Sequence, residues 1–129
     1  MAGSKSDYLE NKVLDHVLTN TAYTSPSSVY VGLYTVAPTD AGGGTEVSGN
    51  GYAREAVTFS AASSGATANS GDVTFDTPTA SWGTVVAFGI FDQLTGGNLL
   101  YWGDLTVQKT INSGDVVKFL SGEIDITES

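Results

Sequence analysis

The chain has no cysteine, three prolines, one histidine and only five basic residues in 129. Each shortage removes a class of explanation. Without cysteine there is neither a disulfide framework nor a thiolate metal site. Stability must then come from packing, from a metal held by oxygen ligands, or from assembly with neighbours. A serine nucleophile needs a histidine or lysine partner. GxSxG is absent and nothing near His16 offers a nucleophile elbow, so a lone histidine beside apolar positions reads as a surface or packing residue. Five bases against 14 acids leave a net charge of −9. Such a surface repels phosphate backbones and anionic lipid, so no direct nucleic-acid binding and no membrane association are expected. It favours solubility or docking onto a basic protein surface. No run approaches the roughly 20 apolar residues that span a bilayer. The opening MAGSKSDYLENKV lacks an apolar centre, so no signal peptide is expected.

What is present is regular punctuation. VYVGLYTV (29–36), AREAVTF (53–59), DVTF (72–75), TVVAFGIF (84–91), NLLYWGDL (98–105) and DVVKFLSGEIDI (115–126) are short apolar runs. Clusters of Gly, Ser, Thr, Asn and Asp separate them. That cadence predicts an all-β, mainly antiparallel fold, a jelly-roll-like β-sandwich of seven or eight strands. Val29, Val31, Leu33 and Thr35 alternate with Tyr30, Gly32, Tyr34 and Val36; both sets are largely apolar, which places this strand centrally. SAASSGATANSG (60–71) reads as a turn or flexible hairpin tip, and Gly122 as a bulge or break.

Residues 6–20 carry the helical signal. Leu9, Val13, Leu14, Val17 and Leu18 recur at helical spacing and suggest one apolar stripe. Ser6 is the expected N-cap, with Asp7 and Glu10 in the first turn, and Asn20 an acceptable stop. The expected organisation is one domain over 1–129, with a helix over 6–20 and a β-sandwich over 29–126. The helix is expected to cover the β domain, with docking on another subunit as the alternative.

Chemistry is hard to find. The glycines at 42–44, 49 and 51 do not make a P-loop: GxxxxGK[ST] is absent and no helix follows. The acids outside the helix stand at strand ends and turns, where they cap turns and solvate edges. Glu123, Asp125 and Glu128 crowd the C-terminus, but the EF-hand pattern is missing. No catalytic residues, no cofactor and no metal are therefore expected. Tyr101 and Trp102 are adjacent and must face opposite sides of their strand, one of them toward solvent or a neighbouring subunit.

Several stretches together carry a resemblance: YLENKVLDHVL (8–18), TAYTSP (21–26), VYVGLYT (29–35), PTDAGGGTEVSGNGYAREAVTF (38–59), SWGTVVAFGIFD (81–92), GGNLLYWGDL (96–105) and NSGDVVKF (112–119). In this order they are similar to a family of small virion structural proteins of tailed bacteriophages, often labelled tail-fibre-like. The resemblance implies a non-enzymatic protein of the virion, made in the host cytoplasm. It implies contacts with the major capsid protein or other virion subunits and a homo-oligomer in the particle. The absence of a fibrous repeat speaks against an elongated shaft. The expected role is capsid decoration or cement; a fibre, tip or baseplate module in host attachment is the alternative. The expected subunit interface combines the helix with the glycine-rich loop: Leu9, Val13, Asp40, Gly43, Glu46, Gly49, Tyr52 and Trp102. A loop of that length is uncommon unless it binds something.

Overall fold

The structure, a computed structural model, describes residues 2–128. In chain order the elements are β1 (Ala2–Lys5), α1 (Asp7–Leu18), β2 (Val29–Val36), β3 (Thr45–Glu46), β4 (Glu55–Val57) and β5 (Ala66–Ala68), followed by β6 (Val73–Thr74), β7 (Gly83–Phe91), β8 (Leu99–Ile111), β9 (Lys118–Phe119) and β10 (Asp125–Thr127). The class is as expected: β-strands, almost all antiparallel, with one short N-terminal helix.

The three most apolar runs become the centre. β2 pairs antiparallel with β7, and β7 with β8. The sheet order is β3-β2-β7-β8-β1-β10-β5, with β4 also on β2, and β6-β9 form a separate pair. This strand order carries the all-β, antiparallel class and not the finer jelly-roll description. β1 is a switch strand: Lys5 and Ser4 pair with Tyr101 and Trp102 of β8, while Ala2 and Gly3 run parallel to β10. Beyond β4 the chain bonds to β5 (Ser60 N–H to Ala68 O, Ser70 N–H to Thr58 O). The hydrogen-bonded path therefore returns to β2 through residues 55–60, and few ladder groups are left open on that side.

Alternation sorts the side chains. Val31 and Leu33 of β2, Val85, Phe88 and Ile90 of β7, and Ile124 and Ile126 near the C-terminus fill the main core with Phe75 and Trp82. Tyr34, Ala87 and Phe91 form a smaller cluster with Val86 and Leu99. Two register shifts break the β7–β8 ladder. Ile90 pairs with Tyr101 but Phe91 with Leu99, so Leu100 is an extra residue; Val85 pairs with Lys109 but Ala87 with Asp104, so residues 105–108 of β8 stand opposite Val86. Bulges re-aim side chains, and the second one turns Val107 out to solvent at 76% exposure.

Boundaries differ from expectation where pairing partners decide them. NLLYWGDL and TVQKTI join as the single strand β8, because β7 supplies partners for both. The 60–71 stretch holds a strand, β5, which its Ala/Ser/Thr composition does not announce; β10 recruits it through Asp125–Ala68, Ile126–Thr67 and Thr127–Ala66. DVVKFLSGEIDI divides into β9 and β10 at Gly122, whose φ of 84° suits glycine.

Ser6 caps α1 as expected, accepting from Leu9 N–H at 3.2 Å. It also ties the helix to the sheet: its hydroxyl donates to Leu99 O at 2.6 Å and its N–H to Leu100 O at 2.8 Å. Such double use explains why a cap residue is buried. At the other end Asn20 takes φ 57°, a left-handed turn that asparagine tolerates.

Candidate interaction site

The open stretch between β2 and β4 is not a loose loop. The upper edge of β2 is shared: β4 pairs with Val29–Val31 and β3 with Tyr34 and Val36. Leu33 N–H falls in the gap between them and donates to the Tyr52 hydroxyl at 2.9 Å. That hydroxyl in turn donates to Glu46 Oε2 at 2.6 Å. Arg54 then closes on Glu46 with two bonds, Nε to Oε2 and Nη2 to Oε1, each 2.9 Å. Its remaining Nη1 donates to Gln93 O and Gly96 O of the β7–β8 turn. The guanidinium lies 3.5 Å from the centre of the Phe91 ring. A planar fork with five donors suits this arrangement, and lysine would not.

Electrostatics follow the geometry. Burial opposes the Arg54 charge, but the Glu46 carboxylate outweighs it and the guanidinium pKa is raised. Burial and the same carboxylate hold the Tyr52 proton far above its usual range. Space for the carboxylate comes from Gly32. A Cβ there would stand 2.7 Å from Glu46 Oε2 and 2.9 Å from the Tyr52 hydroxyl oxygen. Gly32→Ala is therefore expected to destabilise the fold by about 1–3 kcal/mol through overpacking. Urea denaturation checks this; unchanged stability would show that the network is free to shift.

Asp40 joins the loop to the helix. Its carbonyl accepts from Asp7 N–H at 2.7 Å, and its carboxylate accepts the Trp102 indole N–H at 2.9 Å. On the other side of β8, Tyr101 packs on the main core and gives its hydroxyl to Glu128, 2.7 Å away, which also pairs with Lys5 at 2.6 Å. The adjacent aromatics thus face opposite sides, and both find partners within the protein's own fold.

The expected interface residues therefore separate. Glu46, Tyr52, Asp40 and Trp102 are joined by internal hydrogen bonds. Gly43 and Gly49 are exposed, with φ of 79° and 73°. Leu9 is buried inside the fold and Val13 half-buried. This corrects the single-stripe reading of the helix. Leu9 and Leu18 are nine residues apart, two and a half turns, and so lie on opposite faces. The outward face carries Leu14, Val17 and Leu18, which are 54%, 68% and 73% exposed. Glu10 precedes Leu14 by four positions and Val17 by seven, which puts it on the same face.

Sequence reading passed over Arg54, although its position beside Tyr52 in a glycine-rich, acidic stretch was a usable signal. It also passed over a second surface at the other end of β8. Leu105, Val107 and Lys109 line a groove of about 460 Å³ opposite Lys118, Phe119 and Glu123. Val116, 72% exposed, borders the adjoining cavity.

His16 is exposed and its Nδ1 accepts Tyr23 N–H. Burial, then the nearby Asp76, raise the Glu55 carboxyl pKa. Among the described residues no group of three or more His, Cys, Asp or Glu could hold a metal ion, and no helix is long and apolar enough to cross a membrane.

A family model described as podophage GP4 fiber I protein gp80 matches residues 4–127. No curated protein matches the chain.

Proposed function

From the premise that the chain belongs to the podophage GP4 fiber I protein gp80 family, a tailed-phage virion structural family, we propose that it is a non-catalytic subunit of a fibre or other tail appendage. Its place is the virion. This reading follows the word fiber in the family description; the capsid cement role expected from the missing repeat is the alternative. A compact domain can form part of an appendage by stacking or by capping without carrying a fibrous period itself.

One structural observation supports the subunit role: the outward face of α1. Three large apolar side chains are exposed there within one turn and a half. Exposed apolar patches of this kind mark association surfaces. Internal ties rigidify the loop and helix beside it, which lowers the ordering cost of docking.

Copy number separates the two roles. Protein stoichiometry of purified particles, set against the major capsid protein, is expected to give a small multiple of the appendage symmetry. Antibody labelling should fall on the tail. Copies comparable in number to the shell subunits, with label over the head and early DNA loss from particles lacking the protein, would establish the cement role instead.

A further inference from the structure

Two unpartnered apolar surfaces stand at opposite ends of β8. The helix is anchored by Ser6 to Leu99 and Leu100, where β8 begins. The groove lies along Leu105, Val107 and Lys109, near its end. We propose that the two surfaces are complementary, and that the outward face of α1 in one copy docks in the groove of a second copy, head to tail. The inference goes beyond the virion assignment and holds for either location in the particle.

Charge complementarity selects the occupant. The helix face combines Leu14, Val17 and Leu18 with Asp7 and Glu10, while Lys12 turns away to lie 5.7 Å over the Tyr8 ring. The groove combines Leu105, Val107 and Phe119 with two lysines, Lys109 and Lys118, and two acids, Glu123 and Asp125. The lysines are two of the five basic residues in a chain of net charge −9. Of the others, Arg54 is bound to Glu46 and Lys5 to Glu128. Lys118 keeps only a 3.6 Å exposed pair with Asp72, which costs little to rearrange. Glu123 holds Leu120 N–H and Asp125 is half-buried, so the long lysine side chains are the groove's charges best placed to reach a docked carboxylate.

Two like helix faces would bring Asp7 and Glu10 of both copies together in an already acidic protein. Helix against groove replaces that repulsion with attraction. The amphipathic-helix-in-groove mode is a common one. A heterologous contact between different patches forms a ring if the rotation closes and a filament if it does not.

The test uses the purified full-length chain and sedimentation velocity over a concentration series. The wild type is expected to self-associate, more weakly at high salt. Val17→Glu with Leu18→Glu, and separately Val107→Glu, should each weaken association about tenfold or more. All three positions are exposed, so circular dichroism should match the wild type. Mixing the helix variant with the groove variant should yield dimers and nothing larger, because one intact helix then meets one intact groove. Glu10→Lys and Lys109→Glu should each weaken assembly alone and restore it when mixed. A wild type that stays monomeric throughout would overturn the proposal, as would assembly lost in the helix variant but unchanged in the groove variant. Neither result bears on virion membership, which particle stoichiometry tests separately.

Discussion

Replacing Asn69 by leucine is expected to destabilise the protein by about 3 kcal/mol or more, the largest effect of any single polar residue. Asn69 is 2% exposed. Its amide nitrogen donates to Gly71 O at 2.8 Å and Leu120 O at 3.0 Å, and its amide oxygen accepts Ile124 N–H at 2.9 Å. Its backbone adds three more bonds, its N–H donating to Ile124 O and its carbonyl accepting from Gly122 N–H and the Ser121 hydroxyl. One side chain thus fastens the turn between β9 and β10 to the end of β5. Leucine keeps the branched outline but is bulkier, and it leaves a buried N–H and two carbonyls to find other partners, at about 1–3 kcal/mol for each one that stays buried. Asn69→Asp is the sharper test. It keeps the acceptor for Ile124 and places an oxygen where two carbonyls require a donor. Denaturant midpoints should fall for both variants. An aspartate variant as stable as the wild type would show that the amide donors contribute nothing.

The second large effect is alkaline unfolding. Three tyrosines are held protonated in the fold. Burial, then Glu46, push Tyr34 up to about 12. Burial and Glu46 raise Tyr52 further, and burial with Glu128 raises Tyr101. In the unfolded chain all three lose their protons near pH 10, so above that pH the folded state holds more protons and its stability falls as pH rises. The loss begins at about pH 10 and continues through the raised folded values. Each tyrosine that stays fully protonated contributes up to about 1.4 kcal/mol per pH unit; half-exposed Tyr101 contributes less because solvent screens it. Urea unfolding at pH 8, 10 and 11 should show stability nearly level to about pH 10 and then steeply lower. Of the six tyrosines, these three should add their ionisation absorbance together with unfolding and not before it. Ionisation of Tyr52 in a protein still folded would contradict its hydrogen bond to Glu46.

Glu128 acts in the opposite pH range. Burial works against its charge, but Lys5 and the Tyr101 hydroxyl together lower its pKa. The stability it adds is present above the usual carboxylate range and lost as pH falls through the depressed value. It is a surface latch on the C-terminal strand, so its effect is small beside the tyrosines.

Local chemistry by itself determined much of this protein. Apolar runs at 29–36 and 84–91 are long, β-branched and bounded by turn residues, so β2 and β7 follow from propensity and pattern. Ser6, Asp7 and Glu10 mark the start of the helix before any contact is known. The excess of acid is equally visible in the composition. Tertiary structure alone decided the rest. β5 has no pattern of its own and is a strand only because β10 offers it a ladder. The three-residue bulge in β8 that exposes Val107 depends on register against β7, which no local rule sets. Spacing alone puts Leu9 and Leu18 on opposite faces of the helix, but only the sheet selects which of the two faces is covered. Arg54, in a stretch that reads as loop, becomes central because chain folding brings Glu46, Phe91 and Gly96 around it. In each case the deciding energy is pairing or burial between segments distant in sequence, and such terms have no signature in a local window.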